Sequence, residues 1–468
     1  MTALLLLTAI AAVERPNVLW IIGEDLGPEF GCYGDPVAHT PNVDALAAEG
    51  VRFDRAFTVT PVCSTSRSSL MTGQYAWSFD AQNHRSHRDG GNPLPEGVRL
   101  LTHRLRDAGY FTANVRRFPD GVDLRGTGKT DWNFSVEGRP FDSDRWADLK
   151  DHQPFYAQVN FPETHRGGSW RDAQETADPK VTPDDVSPPS YYPDHPVVRQ
   201  SWAEYYNAVN MLDRKVGRVL EQLKADGLAG NTIVVFLGDH GRAMPRGKQW
   251  CYDSGLRVPL IIRVPEGPWR PAEYRPGDVS ADLTEAIDLT AQTLDWAGLP
   301  VPATMHGRPF WGELAGPPRQ YAHGGRDRGD ETVDRVRTLR DDRYRYVRNY
   351  FPERPWTQRN RYKQRSYPIV PLMARLHEAG ELTGPAAAWM ADARPREEFY
   401  DTQEDPEEVR NLADDPRHRE RLLRMRADLE AWLADVGDAG RFPEDPDILE
   451  AAEMLTRRQT QKAKRGQR

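Results

Sequence analysis

Three apolar runs in this chain each break off into acids or histidine, and that repeated ending narrows the fold more than any other feature. Val18-Leu19-Trp20-Ile21-Ile22 leads into Gly23-Glu24-Asp25, Phe155 to Phe161 into Pro162-Glu163-Thr164-His165, and Thr232 to Leu237 into Gly238-Asp239-His240-Gly241. Short, nearly continuous apolar runs read as strands buried on both faces, which suits a parallel sheet. Helical patterns lie between them. One starts after Thr40 and Pro41 and stops at Gly50; another runs from Leu100 to Ala108 and stops at Gly109. The longest spans Ser201 to Asp226, with Val209, Leu212, Val216, Val219, Leu220 and Leu223 on one stripe and Gly227 as its stop. Alternating strands and helices predict an α/β fold: a large, mixed, mostly parallel sheet flanked by helices on both faces. In such sheets ligands gather at the carboxyl ends of the strands. That is where Glu24, Asp25, His165, Asp239 and His240 fall.

After Tyr321 the texture changes. Arg337-Thr338-Leu339-Arg340 and Tyr344-Arg345-Tyr346-Val347-Arg348 alternate as antiparallel strands do, an Arg- and Pro-rich stretch runs from Phe351 to Pro368, and a helix is expected near Arg417 to Leu433. The expected organisation is an apolar leader at 1–13, an α/β domain at 14–320, a smaller α+β subdomain with an antiparallel sheet at 321–445, and a basic polar tail at 446–468. The leader, MTALLLLTAIAAV, is too short to span a bilayer and reads as a secretory signal, so an exported protein without stable membrane insertion is expected. A net charge of -8 gives no general attraction to nucleic acid. The chain has no phosphate-binding glycine loop, no CxxC pair and no heptad seam. Cys32, Cys63 and Cys251 are too few and too scattered to staple a fold of 468 residues.

Two of the three strand ends carry paired metal-type donors, Glu24-Asp25 and Asp239-His240. Carboxylates that converge without a cation repel and take up protons. Three acids with one imidazole suit Ca²⁺, with Mg²⁺ or Mn²⁺ as alternatives. Helix capping is the plainer reading of each pair taken alone. The segment PVCSTSRSSLMTG, Pro61 to Gly73, sets Cys63 among hydroxyl residues, where a cysteine needed only for packing should have apolar neighbours.

Taken in order, these motifs resemble those of the formylglycine-dependent sulfatases of the alkaline-phosphatase superfamily. Asn17-Val18-Leu19-Trp20-Ile21 with Glu24-Asp25, Thr40 to Ala47, Cys63-Ser64-Thr65-Ser66-Arg67 with Thr72-Gly73, Gly128-Lys129, Pro162 to His165, Asp239-His240-Gly241, Arg257-Val258-Pro259-Leu260, and Phe399-Tyr400-Asp401 through Asn411-Leu412 carry the likeness across nearly the whole chain. The resemblance implies that a separate maturase oxidises Cys63 to formylglycine, whose hydrate attacks sulfur. It implies Glu24, Asp25, Asp239 and His240 as metal ligands, with residue 63 as a further one. It gives Arg67 the anchoring of residue 63, Lys129 and Lys248 the sulfate oxygens, and His165 the proton for the leaving group. Three departures stand out. Glu24 and His240 occupy places where the family often has Asp and Asn. Asp131 stands where histidine is common. Thr65 stands where Pro or Ala is usual, a change that an anaerobic maturase would tolerate.

The stretches NFPETHRG (160–167) and Pro183 to Asp194 are similar to heparan N-sulfatase-like members, which implies a sulfated glycan as substrate. His323, Arg326 and Arg328 in YAHGGRDRGDE, with His84 beside Asn83 and Arg85, are candidates for reading carboxylate or sulfate, since arginine forks suit such oxyanions. Loop ion pairs are the plainer reading of these residues. Two rival functions are a phosphodiesterase or phosphonate monoester hydrolase on the same scaffold, and a non-catalytic glycan-binding protein in which Cys63 stays a thiol.

Overall fold

The computed structural model describes residues 15–87, 91–451 and 454; the expected leader and the tail from Thr456 lie outside them. Its strands are β1 (Asn17–Gly23), β2 (Val51–Phe53), β3 (Ala56–Phe57), β4 (Phe111–Arg117), β5 (Ser143–Arg145), β6 (Phe155–Phe161), β7 (Thr232–Gly238), β8 (Leu260–Arg263), β9 (Val279–Ser280), β10 (Thr284–Glu285), β11 (Ala322–Arg326), β12 (Val336–Arg340), β13 (Tyr344–Asn349) and β14 (Glu397–Asp401). Eight of them form one sheet in the order β5-β4-β6-β1-β7-β8-β2-β9. The run from β5 to β7 is parallel, and β8 is antiparallel to both β7 and β2. This is the mixed, mostly parallel sheet that the apolar runs predict.

β1 lies at the centre and its side chains divide between two cores, as the two-residue period of a strand requires. Leu19 and Ile21 pack with Phe236, Val209 and Leu212 on one face. Val18, Trp20 and Ile22 pack with Leu70, Met71, Leu101 and Leu289 on the other. The register pairs Gly23 with Phe161 on one side and with Gly238 on the other. The three strands therefore stop level with one another, and the residues that follow them meet.

The helix that buries Val209, Leu212 and Val216 runs Pro196–Ala225, starting well before Ser201. His195 caps it: its Nδ1 accepts from the Val197 N–H at 3.1 Å, and Pro196 fits the first turn. β11 to β14 form the expected antiparallel sheet, covered by a helix Arg419–Asp435 through Leu422, Met425 and Leu429. Buried arginines tie this sheet to the rest. Arg345 Nε donates to Glu408 Oε1 at 2.6 Å and its NH2 reaches Asp253, while Arg337 NH2 donates to Asp438 Oδ1 at 2.7 Å. The Arg- and Pro-rich stretch holds a short helix, Arg361–Ser366, ahead of a longer one, Ile369–Glu378. Among the described residues no helix is long and apolar enough to cross a membrane.

Candidate active site

The tips of β1 and β7 are joined through their backbones. Asp239 N donates to Gly23 O at 3.1 Å, and Asp25 N donates to the Asp239 carboxylate at 2.8 Å. Asp25 has a φ of +52°, in the left-handed region that few residues other than glycine adopt. That turn separates the side chains of Glu24 and Asp25. Opposite them, a helix Cys63–Thr72 points its N-terminus into the site. Cys63 Sγ lies 3.2 Å from His240 Nε2, 3.3 Å from Lys248 Nζ and 3.7 Å from Asp25 Oδ1.

All ten residues of that helix are buried, which explains its hydroxyl side chains. A buried helix without apolar partners at every position needs hydrogen bonds instead. Ser66 Oγ donates to Asp239 O at 2.5 Å and Ser64 Oγ lies 2.7 Å from His84 Nδ1. Ser68 Oγ donates to Ser64 O at 2.7 Å and accepts from Asn133 N at 2.9 Å. Arg67 faces inward as well. Its Nε donates to Asp239 Oδ2 at 2.9 Å and its NH1 to Asn160 Oδ1 at 2.6 Å.

Burial alone would push the Asp25 carboxyl up, but Lys248, with help from His165 and His240, holds it well below the ordinary range. Lys248 Nζ sits 2.9 Å and 2.8 Å from the two Asp25 oxygens. For Asp239 burial is likewise outweighed, by His240, Arg67 and Lys129, and its carboxyl falls to about 2. His240 is pushed down by burial and raised by Asp239, Cys63 and Asp25, ending at about 10. Both carboxylates are thus charged and surrounded by cations.

The donor set fits a divalent cation once His240 gives up its ring proton. One ligand atom each from Asp25, Cys63, Asp239 and His240 all lie within 4.8 Å of one another, and all four residues are buried. His240 Nδ1 faces Gly241 O at 2.9 Å, which leaves Nε2 directed at the group. Carboxylate oxygens with one imidazole suit Ca²⁺, Mg²⁺ or Mn²⁺.

Glu24 is not in this group. Its carboxylate turns away to Lys129 Nζ at 2.8 Å, because the left-handed turn at Asp25 splays the two acids. Lys129 also lies 3.9 Å from Asp131. His165 is part-buried, with its ring 6.1 Å from that of Tyr362. Burial first, then Lys248, lowers its pKa to about 4, so the imidazole is neutral in the free site.

The candidates from the later segment behave differently. His323 is held by Glu285 at 2.9 Å and stacks on Trp432 with ring centroids 4.4 Å apart, away from residue 63 and its partners. Arg326 faces Asp334 at 3.6 Å. Arg328 is a clamp: it grips the Glu444 carboxylate at 2.5 and 2.8 Å, and its NH1 donates to His84 O at 3.1 Å and to Asp330 O at 2.6 Å. His323 and Arg328 are thus taken up by protein groups, while Arg326 is held less tightly, its Nε having no hydrogen-bond partner among the described residues. Only His84 of the four joins the site, through Ser64.

The site also contains residues that spacing did not single out: Asn160 on Arg67, Tyr362 with its ring 5.6 Å from Lys248 Nζ, and Asp330, bound by Gln249 and Asn360 amides at 3.2 and 3.3 Å. Asn160 carried a visible signal, a polar residue inside an apolar run. Asp330 has a φ of +54°, which no sequence pattern announces.

Residues 16–299 match the Sulfatase family model, and residues 238–364 match the model for the C-terminal part of N-sulphoglucosamine sulphohydrolase. An ulvan-active sulfatase of Formosa agariphila is 32% identical over 93% of this chain and 78% of its own length. Human N-sulphoglucosamine sulphohydrolase is 29% identical, with 93% of each chain covered. A solved 2-O GAG sulfatase superposes with a TM-score of 0.65 at 21% identity, covering 93% of this chain and 96% of that one.

Proposed function

The chain belongs to the sulfatase family, and from that premise we propose that it releases inorganic sulfate from a sulfated glycan, as an ester or a sulfamate, with residue 63 as the seat of the nucleophile. The observation that carries this reading is the meeting of Cys63 with Asp25, Asp239 and His240 at the N-terminal end of a buried helix. Converted to formylglycine, residue 63 would supply a hydroxyl for attack on sulfur, and a cation held by Asp25, Asp239 and His240 would lower that hydroxyl's pKa and draw charge from a sulfate oxygen.

The chain's own residues do the rest. Arg67 fixes the helix of residue 63 against Asp239 and so sets the direction of attack. Lys248 and Lys129 bring two ammonium groups to the sulfate oxygens; burial lowers their pKa, but the Asp25 carboxylate raises that of Lys248 and the Glu24 carboxylate that of Lys129, so both stay charged. The helix N-terminus adds unpaired N–H groups facing the same charge. His165 donates to the leaving oxygen or nitrogen, and because it is neutral in the free site it first takes that proton from solvent, either at low pH or when the charge of a bound anionic substrate raises its pKa.

Cys63 is 1% exposed in the folded chain, so a maturase reaches it only before folding. Export, as the apolar leader suggests, fits an enzyme acting on extracellular glycans. The relatives favour two substrate types, the sulfate esters of ulvan and the sulfamate of N-sulphoglucosamine. Release of sulfate from ulvan oligosaccharides and from N-sulfated glucosamine, measured on protein whose residue 63 is shown by mass to be converted, tests the reading. No release from either by converted, metal-loaded protein overturns it.

A further inference from the structure

Beside the site, the helix Arg361–Ser366 carries a lysine that the proposed chemistry does not use. Lys363 is 4% exposed, and no carboxylate of the described residues lies within 4.0 Å of its ammonium. The charges acting on it are Arg326, Asp330, Lys248 and Asp334. Both acids are engaged elsewhere. Asp334 accepts from Arg394 NH1 at 3.0 Å, and Asp330 accepts from the Gln249 and Asn360 amides at 3.2 and 3.3 Å. The ammonium lies instead over the Trp250 ring, 3.4 Å from its centroid. Buried charges are normally paired, and a ring face returns only part of what an anion would. Burial, with Arg326 second, holds the amine's pKa well below its ordinary value, and an anion entering beside it would raise that value again.

The lysine is held in place. Its N–H donates to the Asn360 side chain at 2.9 Å, and the Trp250 indole donates to Trp356 O at 3.2 Å. With Trp250, Asn360, Val370, Met373 and Trp389 it lines a cavity of about 90 Å³. A single buried water needs roughly 10–15 Å³ of such space, so the cavity suits several waters or one small anionic substituent. The cavity lies near the active site, since the Lys248 charge acts on Lys363. Trp250 lies two positions after Lys248. Tyr362, beside Lys363 in sequence, faces Lys248 and His165.

We infer that this cavity is a second anion subsite, in which Lys363 pairs with a carboxylate or a further sulfate on the same glycan whose scissile sulfate sits at residue 63; the inference rests on the sulfatase reading above.

The test compares wild type, Lys363→Met, which keeps most of the stem, and Lys363→Arg, which keeps the charge, all as converted, metal-loaded, full-length protein. Three ligands are used: an aryl sulfate with no second anion, a sulfated disaccharide containing a uronate, and a disulfated glucosamine. Lys363→Met is expected to raise KM about 10- to 100-fold for whichever ligand carries the recognised anion, and to shift its preference over the aryl sulfate by the same factor. Lys363→Arg should recover part of that preference. The uronate and disulfate arms say which anion is read. Binding of the desulfated products, followed by calorimetry, should weaken by a similar factor in Lys363→Met, and thermal melts confirm that the variants fold. If preference and product affinity stay within about twofold of wild type, or if all ligands lose equally, Lys363 is a structural residue and the inference fails. Absence of sulfate release by wild type would sink the function reading alone, because the calorimetric arm still decides the subsite.

Discussion

Arg67 Nε donates to Asp239 Oδ2 at 2.9 Å, with both side chains buried. Through NH1 the same guanidinium holds Asn160 at 2.6 Å, so one side chain ties the helix of Cys63 to the ends of β6 and β7. Removing it leaves the Asp239 charge buried without its fork. Arg67→Ala should cost about 3–5 kcal/mol of stability in urea unfolding. It should also lower kcat/KM about 100- to 1000-fold, through loss of a fixed approach to sulfur. Arg67→Lys keeps the charge but cannot bridge two acceptors in a plane, so it should recover stability before activity. Equal recovery of both would speak against a positioning role.

Peptide mass spectrometry should find the Cys63 segment about 18 Da lighter than the cysteine form, the difference between a thiol and an aldehyde side chain. Cys63→Ala should abolish sulfate release while leaving product binding within about threefold, because Lys248, Lys129 and Arg67 remain in place. Turnover by protein that is wholly in the thiol form would remove residue 63 from the chemistry.

Chelation should inactivate the protein, and Ca²⁺, Mg²⁺ or Mn²⁺ should restore it. The two neighbouring acids should then differ sharply. Asp25→Asn should raise the metal concentration needed for half-activity about 100-fold, since Asp25 belongs to the group of donors within 4.8 Å. Glu24→Gln should change it about threefold or less, and should instead lower kcat by loosening Lys129, which the Glu24 carboxylate holds at 2.8 Å. Equal metal defects would return Glu24 to the ligand set that the sequence likeness implied.

Much of this is legible in the sequence. The central strands could be read because each apolar run stops at a polar residue, and a level register brings those stops together. The division of labour between Glu24 and Asp25 could not, since it hangs on one left-handed residue. Arg328 and His323 read as ligand contacts because arginine forks suit sulfate and carboxylate. Their partners, Glu444 and Glu285, are remote in sequence, and nothing in local spacing points to such pairs. The helix carrying Tyr362 and Lys363 was hidden in a stretch whose arginines and prolines read as irregular chain. Its start is set by the Asn360 side chain, which caps the Lys363 N–H.

Comparison of an aryl sulfate with an aryl phosphonate monoester and an aryl phosphodiester separates the two hydrolase readings, because all three are monoanions at neutral pH and differ only in the central atom and its substituents. A member of the sulfatase family should favour the sulfate, by about 100-fold or more in kcat/KM. A preference in the opposite direction would favour the phosphoester or phosphonate reading.

The last expectation concerns protons. In the free site burial, and after it Lys248, lowers His165 to about 4 from an ordinary 6.5, so at pH 7 only about one molecule in a thousand carries its proton. If His165 protonates the leaving group, kcat/KM for sugar sulfates or sulfamates should rise about tenfold per unit as pH falls from 7 towards 5. An aryl sulfate, whose phenolate leaves without help, should give a flat profile over the same range. His165→Ala should remove the slope for the sugar substrates and leave the aryl profile flat. The same shift has an opposite consequence for folding. A histidine whose folded pKa lies below its unfolded value contributes fully above about 6.5, and that contribution is lost as pH falls through about 4. Activity should therefore climb on acidification until unfolding ends it, and the His165→Ala variant should outlast the wild type in acid melts. A sloping aryl profile, or a slope that survives His165→Ala, would assign the proton to another group.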